Sequence, residues 1–357
     1  MLLTIIAIML GLFFAMNIGG SGAAASMGIS YGSGVVKKGL GLMLCSIAVF
    51  LGAWLGGGEV VKTIGSGIVP ESTFTVKIAF IVIASAALSL FLANIFSIPL
   101  STSEVAVGSV VGAGLVYQSV FAAKLLWIML FWLLTPIIAF LAAIFASGFL
   151  KNKRVKNWVE APKEIPILSV LVVIMGLFEA FSAGMNNVAN AVGPLVGAGI
   201  LSTESGIFWG GLFVAFGVLL MGRRVLETNG KKITKLRLEE GCIISGIGAM
   251  IVVLASVFGI PVPLTQITTS SIIGIGFTKD GVRVLKKDIV VRILTIWIVS
   301  PVLSMILTYT LIQLIIEQNV YSIIAMAGVV ISVFGILSLM KRQTSRIHVQ
   351  QEAVKIK

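Results

Sequence analysis

Charge is scarce in this chain, and histidine and cysteine are scarcer still. Asp, Glu, Lys and Arg make up 11% of the 357 residues, against 58% hydrophobic. So few charges cannot solvate a soluble domain of this length, and a mean hydropathy of +1.10 reads as an all-α, polytopic membrane protein in a lipid bilayer. The two cysteines, Cys45 and Cys242, lie in apolar stretches and form no C-x-x-C pair, which argues for small core residues rather than a disulfide. The one histidine, His348, falls in a polar tail, so no metal site and no cofactor is expected. An enzyme is a poor fit as well: the sequence has no His/Asp/Ser constellation and no phosphate-cradling P-loop.

Acid is the scarcer sign, with 14 acidic residues against 26 basic and a net charge of +12. This excess does not point to nucleic acid, because the basic residues fill short gaps between apolar segments, as cytoplasmic loops do. The N-terminal apolar run reaches Gly19 with no charged leader and passes into a polar motif. It is expected to be a first membrane helix, not a cleaved signal peptide.

In order, the pattern predicts a helix over Leu2–Met16 that breaks between Asn17 and Gly28, a span over Gly39–Gly57, and apolar runs over Val76–Phe96 and Glu104–Tyr117. A polar turn around Pro99 joins the last two, and a long span over Lys124–Leu150 follows. The second half then repeats the first. Gly19, Ala24, Gly28, Gly32 and Gly34 match Gly184, Ala189, Gly193, Gly197 and Gly199 at a constant offset of 165. Gly52 and Leu55 match Gly217 and Leu220 likewise, while Pro99, Ser109 and Gly112 match Pro261, Ser271 and Gly274 at an offset of 162.

Loop charge sets the expected orientation. Residues 57–75 carry one lysine and two glutamates, whereas their counterpart, 222–241, carries Arg223, Arg224, Lys231, Lys232, Lys235 and Arg237. By the positive-inside rule the same element faces outward in one copy and inward in the other, so the repeats are expected to be inverted. The resulting division is a first transmembrane repeat over 1–150, a cytoplasmic basic linker over 151–165, and a second, inverted repeat over 166–320. An extra helix over 321–340 and a cytoplasmic tail over 341–357 complete it, with the N-terminus outside. The polar turns favour re-entrant helical hairpins at 76–118 and 241–277 over pairs of full crossings.

The stretch that departs from a generic membrane protein is Gly184-Met-Asn-Asn-Val-Ala-Asn-Ala-Val-Gly-Pro194, entered from an apolar helix that starts near Pro166. Three asparagines among glycines and a proline are expensive in lipid. They are expected to break the helix and line a binding site, with half-helix N–H groups favouring an anion. A plainer reading stands beside it: Gly28-x-x-x-Gly32 and Gly193-x-x-x-Gly197 can serve close helix packing.

This motif resembles the G-A-N-D-V-A-N-A-x-G-P signature of the PiT family of inorganic phosphate transporters, most of all in its sulfate-permease (CysP-type) branch. The turn Pro99-Leu-Ser-Thr-Ser-Glu104 is similar to the family's P-V-S-T-T-H motif, which in the second copy has become Pro261-Val-Pro-Leu-Thr-Gln266. The resemblance implies a secondary transporter whose anion lies between the hairpin tips and the asparagine motif. Candidate substrate ligands are therefore Ser21, Ser101, Thr102, Ser103, Asn186, Asn187, Asn190, Thr265, Gln266 and Thr268. Both aspartates of the phosphate carriers are replaced, one by Gly22 and one by Asn187. Their loss weakens a sodium site, which wants hard anionic oxygens. It also favours sulfate, which has no proton to give a carboxylate, over phosphate. Glu104 and Glu179 remain as acids within the membrane and are candidates for the coupling proton. The bland alternative is a structural carboxyl, hydrogen-bonded to a neighbouring helix or paired with a lysine such as Lys124. The expected function is proton-coupled import of sulfate by alternating access. Sodium- or proton-coupled phosphate transport and an anion channel are the alternatives, and a homodimer is left open.

Overall fold

The computed structural model describes residues 1–95, 100–159, 161, 165–233, 236–284, 288–321, 323–324 and 327–328. Among these the chain is helical, with no strand. The first half holds α1 (Leu2–Ser21), α2 (Gly28–Gly32), α3 (Lys38–Gly56), α4 (Gly58–Lys62), α5 (Val76–Ile95), α6 (Thr102–Val116) and α7 (Ala122–Leu150). After α8 (Lys153–Val159) come α9 (Ile165–Gly197), α10 (Thr203–Ile233), α11 (Leu238–Val257), α12 (Leu264–Asp280) and α13 (Asp288–Ile315). Six of the described stretches are long and apolar enough to cross a bilayer, and the chain is a multi-pass membrane protein. The break expected at Pro99, nearly all of the helix expected over 321–340, and the tail with His348 lie outside the described residues.

Two expectations are corrected, while the break expected between Asn17 and Gly28 is present, falling in a 3-10 stretch over Ala23–Met27 after α1 has run on to Ser21. The asparagine motif breaks nothing: α9 is continuous for 33 residues, with Pro194 inside it. Its glycines are there for close approach, the plainer reading above. A Cβ on Gly184 would lie 2.0 Å from the Val49 carbonyl oxygen, and one on Gly197 would lie 2.2 Å from that of Gly65. The basic stretch after Gly222 is not a loop from its start, because α10 continues to Ile233. Arg, Leu, Glu and Lys are good helix formers, and nothing before that point stops the helix.

Packing between the halves is reciprocal. Helix α1 lies along α10, and α9 lies along α3. A Cβ on Gly19 would meet the Val214 carbonyl oxygen at 1.9 Å, and Gly184 meets Val49 in the same way. Each member of the first pair is 165 residues from its counterpart in the second. Likewise Gly52 sits against Phe181, and Gly217 against Met16, at that same offset. Contacts in which i meets j′ while i′ meets j are what a two-fold relation between halves produces. The pattern continues outward, with α6 along α13 and α12 along α7.

Helix α5 pairs with α6 and α11 with α12 as two helical hairpins, and the described start of α6 and the turn before α12 are both buried. Helices α6 and α12 have 15 and 17 residues. At 1.5 Å per residue they span about 22–26 Å, short of the roughly 30 Å hydrocarbon core. The second tip turns at Gly259, whose φ of +68° suits glycine, and is held by Trp132 Nε1 donating to the Pro261 carbonyl at 2.8 Å.

Candidate functional site

The first hairpin tip is built by its own sequence. Ser101 is the N-cap of α6, and its Oγ accepts from the Glu104 backbone N–H at 3.5 Å. A serine followed three residues later by glutamate is the capping-box pattern, in which the acid usually reaches back to the cap. Here the Glu104 carboxylate turns away, so α6 presents two hydroxyls, Thr102 and Ser103, towards α9.

On α9 the asparagines at 186, 187 and 190 share a face at three- and four-residue spacing. Thr102 Oγ1 donates to Asn187 Oδ1 and Ser103 Oγ donates to Asn186 Oδ1, both at 3.3 Å. Asn190 Nδ2 donates to Thr102 Oγ1 at 3.4 Å and to Ser103 Oγ and Asn187 Oδ1 at 3.3 Å. Asn190 Oδ1 is buried and has no hydrogen-bond partner. Asn186 is different, because all of its capacity is used. Its Nδ2 donates to Ser256 Oγ at 3.0 Å and to the Ile260 carbonyl at 3.1 Å, and its Oδ1 also accepts from the Val262 N–H at 3.1 Å. Asn186 thereby pins the second hairpin tip to α9.

Both candidate acids are buried, and neither forms an ion pair among the described residues. Glu104 accepts from Gln266 Nε2 through one oxygen and from Ser300 Oγ through the other. Glu179, two turns before the asparagines on α9, accepts from Thr268 Oγ1 at 3.0 Å. Each carboxylate is thus tied to α12 by a neutral donor.

Of the residues expected at the site, Thr102, Ser103, Asn186, Asn187 and Asn190 therefore form one cluster. Ser101 caps α6, Gln266 holds Glu104, and Thr268 holds Glu179. Ser21 is exposed, its hydroxyl donating to the Asn17 carbonyl at 2.7 Å, and Thr265 is exposed too. These last two are the repeat counterparts of Asn186 and Ser103. One such pair is closed and bonded, and the other is open.

The sequence reading missed Ser256, the Ile260 carbonyl, the Val262 N–H and Ser300. A signal for Ser300 was present: Trp132, Thr135 and Pro136 match Trp297, Ser300 and Pro301 at the offset of 165. A hydroxyl precedes a helix-interior proline in both copies.

A family model described as "Phosphate transporter family" matches residues 18–308, which include both hairpin tips, the asparagine cluster and Ser300. The chain belongs to the phosphate transporter family. Its similarity to one member, the sulfate permease CysP of Bacillus subtilis, is 54% identity over 336 residues, covering 94% of each chain. With the inorganic phosphate transporter 2-1 of Arabidopsis thaliana, a chloroplast protein, identity is 25% over 84% of this chain and 70% of that one. Among solved structures, a sodium-dependent phosphate transporter superposes with a TM-score of 0.72, at 24% identity, over 88% of this chain and all of the other. That likeness shows one fold shared over most of this chain.

Proposed function

We propose that this chain is a permease that imports an inorganic oxyanion, sulfate by preference. The anion would bind between the α6 tip and α9 and enter with protons. The observation that carries the reading is the cluster of Thr102, Ser103, Asn187 and Asn190, which brings hydroxyl and amide donors together with no carboxylate among them. Such donors suit a dianion that has no proton of its own. In the described state Asn186 Oδ1 and Asn187 Oδ1 hold the hydroxyl protons, standing where anion oxygens would compete for them. The Bacillus subtilis relative, a sulfate permease, supports the same substrate.

Alternating access between inverted halves fits the reciprocal packing, and so does the contrast of a closed Asn186–Ser103 pair with an open Ser21–Thr265 pair. Loop charge supports an outside N-terminus in the cell membrane. Glu104, at the hairpin tip, is the acid best placed to carry the coupling proton, with Glu179 second. Phosphate is the second reading, favoured by one observation. The buried, unpartnered Asn190 Oδ1 can accept a hydrogen bond from hydrogen phosphate but not from sulfate.

Uptake of labelled sulfate and phosphate by purified protein in liposomes, under imposed proton or sodium gradients, tests the reading. Sulfate should accumulate when an inward proton gradient is imposed, and external unlabelled sulfate should accelerate efflux, as a carrier requires and a channel does not. Phosphate uptake driven by sodium, with no sulfate uptake, would overturn it. A charge-assisted hydrogen bond is worth roughly 1.5–3 kcal/mol. Ser103→Ala should therefore weaken the apparent sulfate affinity about tenfold or more, as read from the concentration dependence of uptake.

A further inference from the structure

Ser300 has no part in the reading so far, yet its placement is specific. It lies on α13, fully buried, where that helix runs against α6. A Cβ on Gly108 would sit 2.3 Å from the Pro301 carbonyl oxygen, and one on Gly112 at the same distance from that of Met305. This close approach sets the Ser300 hydroxyl on one Glu104 oxygen while Gln266 takes the other. Two neutral donors on two oxygens complement an ionised carboxylate.

The repeat supplies an internal control. The counterpart of Ser300 is Thr135, and the counterpart of Glu104 is Gln266. With an amide in place of the acid, Thr135 Oγ1 donates at 2.7 Å to the Phe131 carbonyl of its own helix. One hydroxyl reaches across to a carboxylate, and its twin, lacking one, folds back.

We propose that Ser300 is a positioning residue for proton coupling, donating to Glu104 in its ionised form at the junction of α6, α12 and α13 and reversing its hydrogen bond when the acid is protonated. The proposal rests on Glu104 as the coupling acid. A proton arriving from the aqueous side adds to a Glu104 oxygen, and the new O–H can then donate to Ser300 Oγ. The Ser300 hydrogen is freed to turn back to the carbonyl four residues earlier, as Thr135 does, and no covalent bond of Ser300 changes.

Among the described residues, the other ionisable groups on these helices are remote or committed. On α9 Glu179 is bonded to Thr268, and on α5 Lys77 lies exposed at the helix start. On α12 Lys279 and Asp280 are at the far end, with Lys279 paired to Glu240, and on α13 the described titratable side chain is Tyr309, two turns beyond Ser300.

The test is the pH dependence of proton-driven sulfate uptake in liposomes. Removing a donor that favours the ionised acid should move the pH of half-maximal uptake upward by about one unit or more in Ser300→Ala. Ser300→Thr, which keeps the hydroxyl, should retain the wild-type midpoint. Ser300→Cys, a weak donor of similar size, should shift it and serves if the alanine variant folds poorly. Glu104→Gln should flatten the profile, and adding Ser300→Ala to it should change nothing further. An unshifted midpoint in both Ser300→Ala and Ser300→Cys, with a flat profile in Glu104→Gln, overturns the role of Ser300 and leaves Glu104 standing. A Glu104→Gln variant that still accumulates sulfate on the proton gradient overturns both.

Discussion

An aspartate at position 187 would put a carboxylate where Asn187 Oδ1 now accepts from Thr102 and Asn190. It would keep both hydrogen bonds and add a negative charge beside the anion's place. Asn187→Asp should therefore impair sulfate uptake more than phosphate uptake, since hydrogen phosphate can donate to the new carboxylate. Competition between the labelled anions reads this out, and an unchanged preference would sink the discrimination argument. Asn186 calls for the opposite expectation. Its four partners are protein groups, and Asn186→Ala strands several of them at about 1–3 kcal/mol for each buried group left unsatisfied. Its effect should be a lower melting temperature in detergent rather than a selective loss of anion affinity. Composition and motif pointed to these amides; that one anchors a hairpin while another has an oxygen to spare could not be read from spacing, because both lie on the same helix face.

At the scale of the helix, sequence signals were legible for existence and misleading for continuity. Membrane spans could be placed from apolar runs. The continuity of α9 could not be inferred, because glycine marks either a turn or a close approach, and only the neighbour decides which. Gly184 is the second kind, with the Val49 backbone where its side chain would be. Gly184→Ala and its counterpart Gly19→Ala should each cost roughly 1–3 kcal/mol through overpacking against backbone that cannot yield. Gly148, inside α7, has nothing within 4 Å of an added Cβ. There alanine should stabilise by about 0.5–1 kcal/mol through helix propensity. Thermal unfolding of the three variants tests the contrast, and equal shifts would refute it. Ser300 escaped notice for a related reason: the apolar stretch around it offers one hydroxyl, whose meaning depends on an acid almost two hundred residues away.

Across the whole molecule, the bond between Glu104 and Gln266 joins two residues that the sequence repeat makes counterparts. Exchanging the two side chains should preserve the bond. Glu104→Gln alone should lose proton-driven sulfate accumulation, and adding Gln266→Glu should restore part of it, with Thr135 now the nearby hydroxyl. No recovery in the double variant would mean that the acid must sit on α6. In a dimer made from two separate copies of one half, whatever stood at this point would face itself. A carboxylate would meet a carboxylate, forced to share a proton or repel, and an amide would meet an amide with nothing to titrate. An acid opposite an amide requires halves that differ in sequence, which is what lets this crossing point hold a single ionisable group.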